Sequence, residues 1–159
     1  MKVGDFSVFR GVNAVNLDSK GRMAMPTRYR TLLENDAERK VVVTIDTDEK
    51  CLLLYPLPEW QLIEKKIAAL PSFNRAARRI QRLLIGHATE VELDANGRVL
   101  LPQLLRDYAE LDKVLMLVGQ GKKFEIWSEQ VWQQRRDDWL SEKVEQLGEM
   151  PADLELLSL

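Results

Sequence analysis

The chain has 159 residues, of which 45% are hydrophobic and 30% charged, and its formal net charge is −2. This length holds one compact domain or two small ones sharing a core; no apolar run approaches the roughly 18 residues of a membrane span, and the N-terminus lacks the apolar stretch of a secretory signal. A single cysteine, Cys51, rules out an intrachain disulfide and points to the reducing cytoplasm.

Residues 12–18, VNAVNLD, alternate roughly, and with RMAMP after a Ser-Lys-Gly loop they read as a β-hairpin. Gly21 supplies the positive φ that a tight turn needs. Between residues 8 and 30, Arg10, Lys20, Arg22, Arg28 and Arg30 face Asp18 alone, a local balance of +4. Pro26 stands where a helix takes its first residue and opens PTRYRTLLEN. KVVVTID (40–46) and KCLLLY (50–55) make a second hairpin around Thr47-Asp48-Glu49. PEWQLIEKKIAAL (58–70) then carries Trp60, Ile63, Ile67 and Leu70 at helical spacing. A connector, SFNRAARRIQRLLIGHA (72–88), follows, with Ser72 as its predicted N-cap. Ile80, Leu83 and Leu84 form its apolar stripe, while Arg75, Arg78, Arg79 and Arg82 line much of the rest with no acid among them.

The second half repeats this programme. ATEVELD (88–94) places Val91 and Leu93 on one face, and Asn96-Gly97 is the strongest short hairpin signal in the chain. Pro102 opens PQLLRDYAEL; KVLMLVG (113–119) and KKFEIW (122–127) form the matching second hairpin, and EQVWQQ (129–134) matches PEWQLI. From Glu129 an amphipathic helix is predicted through Trp132, Trp139, Leu140, Val144 and Leu147, ending near Gly148. From Asp137 onward seven acids face Lys143 alone, a balance of −6. The whole-chain charge therefore says little about what either end of the sequence binds.

The most informative repeat is local. NLDSKGRMAMP (16–26) returns as ELDANGRVLLP (92–102), so that Asp18 and Asp94, like Arg22 and Arg98, lie 76 residues apart. The unit is hairpin, helix, hairpin, helix, twice over. Each copy, about 50 residues, is too small to bury much core alone, so the copies should pack on each other. The expected division is a first repeat at 12–59, a helical connector at 60–87, a second repeat at 88–131, and a C-terminal helix with an acidic tail at 132–159.

Enzymatic readings fail on residue supply. One histidine, His87, and one cysteine cannot build a zinc site from several Cys and His ligands, and neither phosphate-loop nor dinucleotide fingerprints occur. No metal and no cofactor is expected. His87 adjoins a glycine at a helix end and reads as structural, Cys51 as a small buried residue. The repeated Asp-x-x-x-Arg loop supports two explanations. Asp18 and Asp94 can satisfy turn N–H groups while Arg22 and Arg98 pair back to them. Alternatively, with Gly21, Asn96 and Gly97 shaping the turns, the guanidinium groups project to phosphates or guanine edges, helped by Lys20 and Arg28. Residue chemistry alone leaves both open.

The two loops, the helix-opening prolines, FRG at 9–11, CLLLYPLPEW at 51–60, RRIQRLLIGHA at 78–88 and KFEIW at 123–127 closely resemble the MraZ family. The resemblance runs from about Phe9 to Trp132. It implies an α+β, β-rich fold: a pseudo-twofold, AbrB-like swapped-hairpin barrel of two tandem repeats with flanking helices. It also implies a DNA-binding transcriptional regulator in the cytoplasm, associated with the nucleoid and usually repressing its own operon in the division and cell-wall gene cluster. Its partners are promoter DNA and further copies of itself in a ring. Arg22 and Arg98 are then the DNA contacts and Asp18 and Asp94 the residues that shape their loops. The competing expectation is a ring-forming scaffold that binds proteins, with Arg75, Arg78, Arg79 and Arg82 at subunit interfaces.

Overall fold

The computed structural model describes residues 8–143, 147–148 and 151–157. Strands β1 (Val12–Asn16) and β2 (Arg22–Ala24) lead into helix α1 (Thr27–Asp36), then β3 (Lys40–Ile45), β4 (Leu52–Pro56) and helix α2 (Leu57–Ala68). Helix α3 (Arg75–Ile80) continues into a π-helical turn, Gln81–Ile85. The second series is β5 (Thr89–Glu92), β6 (Arg98–Leu100), helix α4 (Gln103–Tyr108), β7 (Val114–Gly119) and β8 (Phe124–Ser128). Helices α5 (Glu129–Ser141) and α6 (Ala152–Glu155) complete the described elements.

The expected element order is present, but strand partners differ from those that chain proximity suggests. β3 pairs with β4 and β7 with β8 as local antiparallel hairpins. β1 and β2, in contrast, share only a Leu17↔Met23 bridge. β1 pairs along its length with β7, from Val12↔Val118 to Asn16↔Val114, and β2 pairs with β6 of the other repeat. The result is a six-stranded antiparallel sheet, β1-β7-β8-β4-β3-β5, beside a two-stranded ribbon β2-β6. The architecture is mixed α+β, and the described sheet is open, with β1 and β5 as its edges: among the described residues the strands of the expected swapped-hairpin barrel do not close.

Burial explains the apolar runs. Val41, Val43 and Ile45 of β3, with Leu52 and Leu54 of β4, enter a core shared with Leu115, Leu117, Phe124 and Ile126. Their neighbours Val42, Leu53 and Tyr55 face the other way and pack with Trp60 of α2. Strands covered on both faces lose polar alternation, hence VVV and LLL. The ribbon adds Met23 and Met25 from one repeat and Val99 and Leu101 from the other to the same core, all fully buried. Each such side chain stabilises by about 1.5–3 kcal/mol relative to exposure, and neither repeat retains that burial without the other.

Helix ends correct two expectations. The connector helix is capped by Asn74, whose Oδ1 accepts the Ala77 N–H at 3.0 Å, and not by Ser72. Asn and Ser are comparable caps, and position relative to the first helical turn decides between them. The C-terminal helix stops at Ser141, before Gly148; Val144 lies outside the described residues. By internal contacts the chain forms two compact units, Met1–Glu129 and Gln130–Leu159. Within the second, Trp132 and Trp139 meet edge to face at 5.9 Å and Arg135 stacks on Trp139.

Candidate nucleic-acid interface

The two Asp-x-x-x-Arg loops have the same internal bonding. Asp18 Oδ1 accepts the N–H groups of Lys20 and Arg22, both at 2.9 Å, and Asp18 Oδ2 accepts Arg22 Nε at 2.9 Å. Asp94 does the same for Asn96 and Arg98, with Arg98 Nε at 3.0 Å. One carboxylate thus closes the turn with one oxygen and orients the arginine with the other. Because Nε is the group engaged in that bond, the guanidinium fork is aimed by its base. Gly21 N–H donates to Asp18 O and Gly97 N–H to Asp94 O, completing each turn.

Pairing of β2 with β6 brings the loops together. Arg22 lies opposite Leu100 and Arg98 opposite Ala24, and Arg98 Nη1 stands 3.7 Å from Asp18 Oδ2, a link from one loop to the other. Met25 N–H donates to Gly97 O and Leu101 N–H to Gly21 O, at 3.0 and 2.8 Å. Both loop arginines keep about 30% of their side-chain surface exposed. Lys20 and Asn96 are exposed at the turns. Arg28 sits elsewhere: its Nη2 donates to Asn13 Oδ1 at 3.0 Å and to Tyr29 OH at 2.7 Å, and Tyr29 OH in turn donates to Arg10 O.

Two further arginines belong to this arrangement and were not named among the candidate site residues. Arg30 lies over Gly97 and Arg106 over Gly21, each reaching the loop of the other repeat. Their Nε groups donate to Met25 O and Leu101 O, at 2.6 and 2.9 Å. Gly21 and Gly97 have φ of +84° and +72°, a region costly for most L-residues. A Cβ at Gly97 would stand 2.2 Å from Arg30 Cδ, and one at Gly21 2.7 Å from Arg106 Cζ. The glycines therefore serve both turn and crossing. The signal was present: Arg30 and Arg106 each stand four residues after a helix-opening proline and are 76 apart. Four guanidinium groups so converge on the β2-β6 ribbon, in two equivalent pairs.

Asp18 and Asp94 are held below the usual carboxylate range, foremost by the backbone N–H groups of Arg22 and Arg98. A depressed native value stabilises the fold above the unfolded-state value and loses that stabilisation as pH falls through the native one. Asp18→Asn with Asp94→Asn should therefore lower the urea midpoint at pH 7. The deficit should shrink once pH drops below about 3.9, the ordinary aspartate value, and vanish beneath the native values. A deficit independent of pH would mean that the charges do not shape these turns.

Among the described residues, one group brings metal-type donors together: Asp46, Cys51 and Glu125, within 4.8 Å of one another. Burial pushes the Cys51 thiol and the Glu125 carboxyl upward, toward their uncharged forms, and Glu125 accepts Trp127 Nε1 at 2.9 Å. We assign no metal there. His87 Nδ1 lies 2.8 Å from Leu83 O, a local structural contact.

Two tandem matches to the family described as "MraZ protein, putative antitoxin-like" cover residues 8–83 and 84–148. The chain is similar to proteins named Transcriptional regulator MraZ. It is 55% identical to those of Legionella pneumophila strain Corby and Coxiella burnetii strain Dugway 5J108-111, and 53% identical to that of Halorhodospira halophila. Each alignment spans 152 residues, 96% of this chain and all of the relative.

Proposed function

This chain belongs to the MraZ family, and from that premise we propose that it is a sequence-specific DNA-binding transcriptional regulator. The observation that carries the reading is the joined pair of loops, in which aspartates aim Arg22 and Arg98 from one ribbon. Two guanidinium groups presented by equivalent turns suit phosphates and guanine edges in a duplex groove. Arg30 and Arg106 add positive charge beside them and Lys20 contributes at the margin, while Arg28, engaged by Asn13 and Tyr29, stands apart from the pair. In this reading residues 12–59 and 88–131 are the two AbrB-like repeats, 60–87 the connector and 132–159 the C-terminal segment. The exchange of β1 and β2 onto β7 and β6 supports a swapped-hairpin organisation.

The regulator represses its own operon in the division and cell-wall gene cluster, in the cytoplasm at the nucleoid. It binds repeated promoter elements as a ring of copies. One copy offers few contacts, each supplying only a few kcal/mol at most; linking copies raises affinity through effective concentration. Fluorescence anisotropy with the DNA upstream of its own gene tests this directly. An array of the operator element should bind at least about tenfold more tightly than one copy, and affinity should fall steeply with salt as counterions are released. Equal affinity for scrambled DNA overturns the regulator, and equal affinity for single and arrayed elements overturns the multivalent mechanism. The connector arginines, which have no ion-pair partner among the described residues, favour a second reading as a ring-forming protein scaffold, which equal affinity for scrambled DNA would bring forward.

A further inference from the structure

We propose that the arginine-bearing face of α3 and its π-helical turn is the docking site for the acidic, leucine-rich segment Pro151–Leu157 of a second copy of this chain. The inference rests on the self-assembly part of the proposed function, whose neighbouring copies it connects, and is independent of whether the loops read DNA.

Three observations carry it. The inner side of this element is fixed: Asn74 caps it, Gln81 Nε2 donates to Ile67 O at 3.1 Å and Leu70 O at 3.3 Å, and Thr44 Oγ1 donates to Leu84 O at 2.7 Å. Its outer side is consequently presented rather than adaptable. There Arg75, Arg78, Arg79 and Arg82 are exposed and line one shallow groove. None makes an ion pair among the described residues. Like charges at three- and four-residue spacing repel along a helix, so an anionic occupant stabilises the arrangement. Apolar side chains adjoin this element: Phe73, immediately before the cap, is 91% exposed, and Leu70, whose carbonyl accepts Gln81 Nε2, is exposed as well.

The occupant must therefore combine negative charge with large apolar side chains. A phosphate backbone meets the first requirement and leaves Phe73 uncovered. Residues 151–157, PADLELL, meet both. Asp153 is exposed, and Leu154, Leu156 and Leu157 are exposed with it, in a stretch of sequence whose acids outnumber its cations from Asp137 onward. A contact between the groove of one copy and the tail of the next is heterologous, and such contacts propagate from copy to copy until they close a ring.

Sedimentation velocity of the full chain, without DNA, tests the pairing by charge exchange. Arg78→Glu with Arg79→Glu and Arg82→Glu reverses the groove; Asp153→Lys with Glu155→Lys reverses the tail. Each variant alone should sediment as smaller species than wild type at equal concentration. Mixed one to one, they should regain the wild-type mass, because every groove then meets a tail of opposite sign. Recovery on mixing also shows that both variants fold. Unchanged mass in either variant, or no recovery on mixing, overturns the proposal. So does loss of DNA binding by the groove variant with its mass intact, which assigns these arginines to DNA.

Discussion

Arg22→Ala combined with Arg98→Ala is expected to abolish sequence-specific binding to upstream DNA while leaving the fold intact. Each arginine is only partly buried, and its partners are an aspartate of its own turn and, for Arg98, Asp18 of the other loop. Partly exposed pairs contribute little to stability, and no core side chain is touched, so the thermal melt should stay close to that of wild type. The functional cost is of another size. A well-aligned arginine contact to a base edge discriminates by about 1–3 kcal/mol, roughly a 5- to 150-fold effect on affinity. The proposed linking of copies on repeated elements compounds the loss of both. Anisotropy at two salt concentrations separates the causes: loss of phosphate contacts lowers the salt slope, whereas loss of base contacts removes the preference over scrambled DNA. Full binding by the double variant, with an unchanged melt, returns the repeated loop to a purely structural role. Grading the two single variants then decides whether Ser-Lys-Gly and Ala-Asn-Gly loops contribute equally.

The second large effect is on stability, at Phe124. Its ring is fully buried, with centroids of Phe9 and Tyr29 at 4.4 and 4.8 Å. Phe9 is the anchor of the segment before β1, tied by backbone bonds to Gly121 at 2.7 and 2.9 Å. That segment passes so close to β7 that a Cβ at Gly119 would stand 2.5 Å from Arg10 N. Tyr29, from α1, bonds Arg10 O and holds Arg28. Phe124 therefore joins the segment before β1, the first helix and the central sheet. Phe124→Ala should cost about 3–5 kcal/mol, which lowers the melting temperature by roughly 6 to 20 °C for a chain of this size. Phe124→Leu, which keeps most of the volume, should cost less than about 1.5 kcal/mol. Calorimetry of the two variants checks this, and a near-neutral alanine substitution would mean the three rings do not form one packed unit.

Much of this organisation is legible before any coordinate is considered. The 76-residue recurrence of Asp, Gly, Arg and Pro identifies two equivalent loops, because a turn with positive φ, a capping carboxylate and a helix-opening proline each require particular residue types. The hairpins β3–β4 and β7–β8 are equally visible, since their partners are near in sequence and their turns are short. Asn74 shows the limit of that reading: SFN offers two good caps, and only the start of the first helical turn selects one. The same limit applies to the end of α5, where the apolar spacing continues past Ser141 but the helix does not.

The sequence by itself thus determined the repeat, the order of elements, the two turn-closing aspartates and the arginines they orient. The tertiary structure alone decided partnership. β1 leaves β2 for β7, and β2 leaves it for β6, because Met23, Met25, Val99 and Leu101 reach full burial only in a core that both repeats supply. It also decided that Arg30 and Arg106 cross to the opposite loops, over glycines that leave room for them. Local propensity acts over a few residues and leaves its mark in adjacent letters, whereas burial is a property of surfaces brought together from distant parts of the chain.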